Sequence, residues 1–228
     1  PRTTFAMILY SGPLSMFGAK AQIAVLEKQA PCEVVMVPFS LARRYEPKHD
    51  AISRVNPKRQ VPVLIDGPVE IYDSTQIFEY LEDKYPSNNL WPAAPSSRAV
   101  ARRLELEADE VFFPHAVKLM ALQRDLAGQE ARDAIASLHS FYGEANARLE
   151  GRDYLADAYT FADIAFFMAQ FFAAFLGAEM KPDLAHLRRW RARMVARPAV
   201  AQVIGPMCRY LAQNNVTVPA LEAAAARL

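Results

Sequence analysis

Three short stretches of this chain carry residue types whose spacing invites chemistry. The first is NPKRQVP, residues 56–62. Pro62 lies in a run of strand character, where a proline cannot donate to a sheet ladder. A cis Val61-Pro62 bond would turn the Val61 N–H and C=O outward, toward an extended peptide that binds like an added strand. A trans-proline on an edge strand is the alternative, and this segment alone does not separate the two. The second stretch is IYDSTQ, residues 71–76, where Asp73 and Ser74 sit at a change from strand to helix. Free N–H groups and the positive end of a helix dipole favour a ligand carboxylate there. The Ser74 hydroxyl adds a donor, and Asp73 can accept from a ligand ammonium. An ordinary N-cap would use the same two residues. The third stretch, YSGPLS at 10–15, gathers the hydroxyls of Tyr10, Ser11 and Ser15 in a loop ahead of a helical segment.

The elements that must position these groups can be read from pattern. Residues 4–10 (TFAMILY) form a short buried strand, and 16–28 have helical composition with a lysine finish. A second strand falls at 33–37. The stretch 40–56 is polar and irregular, with room for one helical turn. Strands at 61–65 and 69–71 flank Asp66-Gly67, a strong hairpin signal. Asp73-Ser74 then open a helix to about Lys84, stopped by Pro86. Residues 1–86 are thus an α/β unit. Proline, asparagine and serine make 87–97 a linker. Beyond it, 98–228 hold only helical patterns: one long helix or two over 97–128 with a kink at Pro114, a helix at 129–150 closed by Gly151, an almost wholly apolar helix at 160–175, and helices at 183–196 and 198–213. The tail LEAAAARL is a short helix or frayed.

Composition removes several classes of function. With 26 Lys+Arg against 25 Asp+Glu the net charge is +1, so no strong field favours nucleic acid or a membrane surface. Cys32 and Cys208 lie far apart and make no C-x-x-C. With four scattered histidines, neither a disulfide framework nor a metal motif is expected. The first residues lack the charged lead-in and cleavage site of a signal peptide. The longest apolar stretch, 164–177, is interrupted by Gln170 and falls short of the ~20 residues a membrane span needs. A cytoplasmic protein is expected.

Taken in order, these segments resemble the glutathione-binding half of the cytosolic glutathione transferase family. The family pattern N-P-x-x-Q-V/I-P, then E/D-S, then a helix ending Y-L-E-x-x-Y-P is matched almost continuously from Asn56 to Pro86. AYTFADIAFF at 158–167 resembles the family's T/S-x-x-D segment, in which Thr160 and Asp163 form a capping box, a folding device. PDLAHLRRWRARMVARPAV resembles its closing tryptophan helix and R-P-A-V. The resemblance spans nearly the whole chain. It implies a thioredoxin-like N-terminal domain, an all-helical C-terminal domain and a homodimer. It also implies that glutathione thiolate attacks a small hydrophobic electrophile. Dehalogenation, ether cleavage, isomerisation and non-catalytic binding or assembly are alternatives on the same fold.

By the same resemblance, Phe17, Gln60, Val61, Pro62, Asp73 and Ser74 bind glutathione, with the γ-glutamyl end at Asp73-Ser74 and the cysteinyl backbone at Val61. Lys48 matches a lysine that reaches the glycyl carboxylate in plant phi-type members. P-x-S before the first helix, with Lys20 five residues on, resembles the serine-type (phi/theta-like) transferases and makes Ser15 the residue that activates the thiol. Ser11 is the alternative, and Tyr10 reads as a strand aromatic. Serine-type relatives often have asparagine two residues after the serine. This chain has Phe17, which implies a backbone N–H contribution there. Cys32 lies beyond the first helix, so cysteine-type thiol transfer is disfavoured. The electrophile is expected between the domains, with Phe17, Phe112, Phe113 and His115 as candidate lining. Only one of the two adjacent phenylalanines is expected to face it.

Overall fold

A computed structural model of the chain describes residues 7–219 and 221. It divides into two compact units, Pro1–Asn89 and Leu90–Leu228. Residues 4–6 of the expected strand at 4–10 lie outside the described part, as does most of the LEAAAARL tail.

The first unit is a four-stranded sheet in the order β2-β1-β3-β4. Its strands are β1 (Met7–Ser11), β2 (Cys32–Met36), β3 (Val63–Asp66) and β4 (Val69–Tyr72). β1 and β2 run parallel, joined by helix α1 (Met16–Glu27), as a parallel pair requires a crossover. β3 runs antiparallel to β1, with Leu9 opposite Leu64, and β4 runs antiparallel to β3. Gly67 takes φ 58° at the hairpin turn, and Pro68 supplies the negative φ beside it. Helix α3 (Ser74–Lys84) buries Ile77, Phe78 and Leu81. Tyr80 donates to the Asp66 carboxylate at 2.7 Å, and Lys84 pairs with the same group. The Lys84 and Tyr80 hydrogen bonds hold the Asp66 carboxyl below its usual pKa. α3 is therefore fastened to the end of β3, which fixes where its N-terminus stands. The one helical turn allowed for in 40–56 is α2 (Asp50–Val55). This is a thioredoxin-like domain.

The second unit is helical. It contains α4 (Pro95–Leu106), a π-helical turn (Glu107–Phe112), α5 (Phe113–Ala121), α6 (Gln129–Arg148), α7 (Phe161–Phe175), α8 (Ala185–Val195) and α9 (Pro198–Gln213). The long helix expected over 97–128 is thus two helices with a π turn between them, ending at Ala121. Pro114 explains the break. It has no N–H and its ring clashes with a carbonyl four residues back, so the preceding turn widens and Phe113 N–H bonds to Ala108 O. Every residue of α7 is buried. Phe112, Phe141, Tyr142 and Phe166 cluster with ring centroids 5.2–6.4 Å apart, and Phe166 meets Trp190 at 5.4 Å. Thr160 N–H and Trp190 Nε1–H each donate to the Asp163 carboxylate at 2.9 Å, so the capping box also ties α7 to α8. Burial outweighs these donors and pushes the Asp163 carboxyl up to about 6.

Residues 87–97 are not a free-standing tether. Leu90 and Trp91 are buried, Trp91 meets Phe161 edge-on at 5.9 Å, and Leu90 O accepts from Phe161 N–H. Among the described residues no helix is long and apolar enough to cross a membrane.

Candidate functional site

The residues of the first unit that chemistry singled out gather where α3 begins beside the chain entering β3. Asn56 organises the approach. Its side-chain amide donates to Gln60 O at 2.6 Å, and its carbonyl oxygen accepts from Lys58 N–H at 2.9 Å. Arg59 N–H bonds to Asn56 O, and Arg59 takes φ 53° to complete the turn. Val61-Pro62 is cis, which decides between the two sequence readings. Val61 stands just ahead of the ladder, whose register begins at Val63.

Across from it, Asp73 caps α3. One carboxylate oxygen accepts from Thr75 N–H at 3.0 Å and Gln76 N–H at 3.3 Å. The N-cap and the ligand readings of Asp73-Ser74 are therefore compatible, because the second oxygen takes no part in the cap. Asp73 has φ 76° and ψ 132°, a conformation costly for a residue with a Cβ and typical of functional sites. Ser74 is 1% exposed, and its hydroxyl has no hydrogen-bond partner among the described residues.

A cavity of about 70 Å³ joins these groups. Its walls are Phe17, Asn56, Lys58, Gln60, Val61, Pro62, Tyr72, Asp73 and Ser74. Six of the proposed glutathione residues thus share one cavity: Phe17, Gln60, Val61, Pro62, Asp73 and Ser74. Asn56, Lys58 and Tyr72 were missed as wall residues. The asparagine-proline of NPKRQVP was a usable signal for the first; nothing in the sequence marked the other two.

Two proposed residues are not on this wall. Lys48 lies in the segment before α2, where its ammonium is 3.3 Å from the Glu46 carboxylate and 6.0 Å above the Tyr45 ring. Ser15 is the N-cap of α1, and its hydroxyl accepts from Gly18 N–H at 3.0 Å. That bond occupies a lone pair and leaves the O–H proton to give. Ser11 differs. It is fully buried at the end of β1, and its hydroxyl accepts from Gln22 Nε2 at 2.8 Å. Gly18 separates the two serines so closely that a Cβ there would lie 2.3 Å from Ser11 Oγ and 3.0 Å from Ser15 Oγ. Tyr10 is a β1 aromatic whose ring meets His49 at 5.0 Å. Burial pushes the Cys32 thiol up to about 11, which leaves it a poor nucleophile at neutral pH.

The candidate electrophile residues of the second unit need correction. Phe112 is 1% exposed and held by three aromatic neighbours, so it is a core residue and not pocket lining. Phe113 is also buried, against Phe172 at 6.0 Å. Both adjacent side chains are thus buried, one on each side of the junction between the π turn and α5. His115 is half-buried on α5. Among the described residues, no group of three His, Cys, Asp or Glu side chains is placed to hold a metal ion.

Comparison with known proteins bears on this geometry. Residues 9–89 match the family described as glutathione S-transferase, N-terminal domain, and 102–198 match glutathione S-transferase, C-terminal domain. The chain is 29% identical to glutathione S-transferase 2 of Saccharomyces cerevisiae over 213 residues, covering 87% of this chain and 89% of that one. It is 30% identical to a stringent starvation protein A homolog of Coxiella burnetii over 114 residues. That match takes in 50% of this chain and spans about half, 51%, of the relative. A glutathione S-transferase structure from Rhodospirillum rubrum superposes with a TM-score of 0.74 at 26% identity, covering 87% and 91% of the two chains. A Pseudomonas putida glutathione transferase, with one glutathione disulfide bound per subunit, gives 0.74 at 19% identity, covering 90% and 93%; that likeness is one of fold.

Proposed function

The chain belongs to the glutathione S-transferase family, and from that premise we propose that it binds glutathione in its first unit and activates the thiol, through Ser15, for attack on a small hydrophobic electrophile. The observation that carries this reading is the Ser74 hydroxyl on the wall of the cavity, buried and without a partner among the described residues. A buried unpaired hydroxyl costs stability, and a ligand carboxylate at a helix N-terminus is the partner its position suits.

The γ-glutamyl carboxylate takes the Ser74 hydroxyl at the N-terminus of α3, whose Thr75 and Gln76 N–H groups stay with the Asp73 cap. The γ-glutamyl ammonium takes the free Asp73 oxygen. The cysteinyl backbone pairs with Val61, beside Gln60 and Pro62. Lys48 meets the glycyl carboxylate by leaving Glu46, an exchange of one carboxylate for another. Phe17 covers the peptide from α1.

The sulfur is then served by Ser15. A free thiol has a pKa near 8.5, and lowering it by ~2 units takes roughly 2.7 kcal/mol. A hydrogen bond to a charged group supplies about 1.5–3 kcal/mol, and a helix N-terminus adds about 0.3–1. One Ser15 O–H donor at the start of α1 is therefore sufficient in size. The thiol proton passes to solvent. The thiolate pair forms a carbon–sulfur bond, and the leaving group departs with the electrons of the bond it breaks. Ser15 is preferred to Ser11 because it caps the N-terminus of α1 and keeps 9% exposure, whereas Ser11 has none and is engaged by Gln22.

The active form proposed is a cytoplasmic homodimer. Val100, Leu106 and Val111 are exposed along α4 and the π turn, beside a cavity of about 540 Å³ floored by Leu104, Phe141 and Phe166. This is the kind of surface a second copy would cover. A second reading, a glutathione-binding module without turnover, draws support from the match to a relative not named as a transferase.

Thermal shift with glutathione and turnover of an aryl halide separate these readings. The ultraviolet thiolate absorbance of the glutathione complex against pH then tests Ser15. Ser15→Ala should move the titration toward the free-thiol value, and Ser11→Ala should leave it almost unmoved. The opposite pattern would assign the chemistry to Ser11.

A further inference from the structure

We propose that Tyr45 is a positioning residue for the thiol site: it pins the 12–15 loop through the Leu14 carbonyl and so sets where Ser15 presents its hydroxyl. The inference rests on the Ser15 reading above.

The loop needs such a device. Its two ends are held: Ser11 O accepts from Val37 N–H, Ser11 Oγ accepts from Gln22, and Ser15 is tied into the first turn of α1. Among the described residues no backbone–backbone hydrogen bond ties Gly12, Pro13 or Leu14. Pro13 has no N–H to offer. The Tyr45 hydroxyl reaches across 31 residues of sequence to donate to Leu14 O at 2.9 Å.

Tyr45 is itself anchored. Its ring packs on the cluster of Val37, Ile52 and Val63, and lies 4.7 Å from the Phe39 ring. It fills the space over Gly12 so closely that a Cβ there would fall 2.3 Å from it. Gly12 is thus required for the ring to approach the loop, and the ring in turn limits where the loop can go. The Lys48 ammonium, 6.0 Å over the same ring, belongs to the segment proposed to meet the glycyl carboxylate. One side chain thereby joins that segment to the backbone next to Ser15. A hydroxyl must stand near 3 Å from sulfur to favour thiolate, and a shift of an ångström at Leu14 carries directly to Ser15.

Tyr45→Phe removes only the hydroxyl and keeps the ring packing. Three measurements are made on the full-length protein: the thiolate titration of bound glutathione, the affinity for S-methylglutathione, and the same titration for Ser15→Ala. Tyr45→Phe is expected to lower the acid dissociation constant of the bound thiol about three- to ten-fold, the range of one ordinary hydrogen bond. S-methylglutathione, which has no thiol to ionise, should bind within about two-fold of wild type because the γ-glutamyl and glycyl anchors remain. A residue that merely supports the fold would lower stability and leave the titration in place. If Ser15→Ala shifts the curve and Tyr45→Phe overlays wild type, the inference is overturned and the Ser15 reading stands. If neither shifts it, both fall. A shift in Tyr45→Phe alone overturns the inference together with the Ser15 reading, for Tyr45 would then act on a donor other than Ser15. An equal loss of S-methylglutathione affinity would also overturn the inference, since the whole site would then have come apart.

Discussion

Ser74→Ala should raise the stability of the unliganded protein while lowering its affinity for glutathione. The two signs come from one atom. Ser74 Oγ is buried at the first position of α3 with no partner among the described residues. Leaving such a group unsatisfied costs about 1–3 kcal/mol, and alanine removes that cost along with little packing volume. A gain near ~1 kcal/mol is expected, at the low end because the hydroxyl borders a cavity. In the complex the same hydroxyl donates to a carboxylate, worth about 1.5–3 kcal/mol, so affinity should fall roughly 10- to 150-fold. Denaturant unfolding without ligand and calorimetric titration with glutathione measure the two effects separately. A variant less stable without ligand and unchanged in affinity would refute the reasoning, for Ser74 would then be a structural cap and not a ligand group.

Other expectations follow from the same coordinates. Phe112→Ala should cost about 3–5 kcal/mol in denaturant unfolding, as for a buried aromatic, with glutathione affinity retained because the residue lies in the other unit's core. Asp163 gives a pH dependence of defined sign. Its folded pKa, about 6, lies above the ordinary carboxyl value of 3.8, so the folded state binds the proton more tightly and stability from this group falls as pH rises from about 4 through 6. The stability advantage of wild type over Asp163→Asn should therefore be largest near pH 4 and shrink toward pH 7, which unfolding series at several pH values would check. Light scattering at micromolar concentration should give twice 25.5 kDa; the monomer mass would contradict the proposed dimer.

Local chemistry was the legible part of this chain. Asp66-Gly67 placed the hairpin because few residue pairs accept its backbone turn, and Asp73-Ser74 placed the start of α3 because a helix end must find acceptors for its free N–H groups. The apolar run at 160–175 could only be a central helix. What escaped depended on distant partners. Of the adjacent Phe112 and Phe113, one was expected to face the cleft, but each is enclosed by aromatic partners far along the chain. The Leu90-Trp91 pair sits among prolines and asparagines that read as linker, and only Phe161, 70 residues on, reveals its packing. Tyr45 stands in a polar stretch without periodicity, so nothing local announced its bond to Leu14. Lys58 and Tyr72 join the cavity wall only once β4 and the 56–60 turn are brought side by side.

The complete burial of α7 has a consequence for how this protein must be handled. A helix apolar on every face has no side that tolerates water, so it cannot stand exposed while the other helices assemble. Its IAFFMAQFFAAF stretch, residues 164–175, carries no charge and no proline. Once opened, such a segment exposes apolar surface that its counterpart on another molecule can cover. Heating should therefore end in precipitate and not in a reversible transition, and the temperature at which it clouds will depend on scan rate and concentration. Refolding from denaturant should succeed when dilute and fail when crowded. In a cell, the interval between the emergence of residue 175 from the ribosome and the arrival of Trp190 on α8 is when this chain is most exposed to loss.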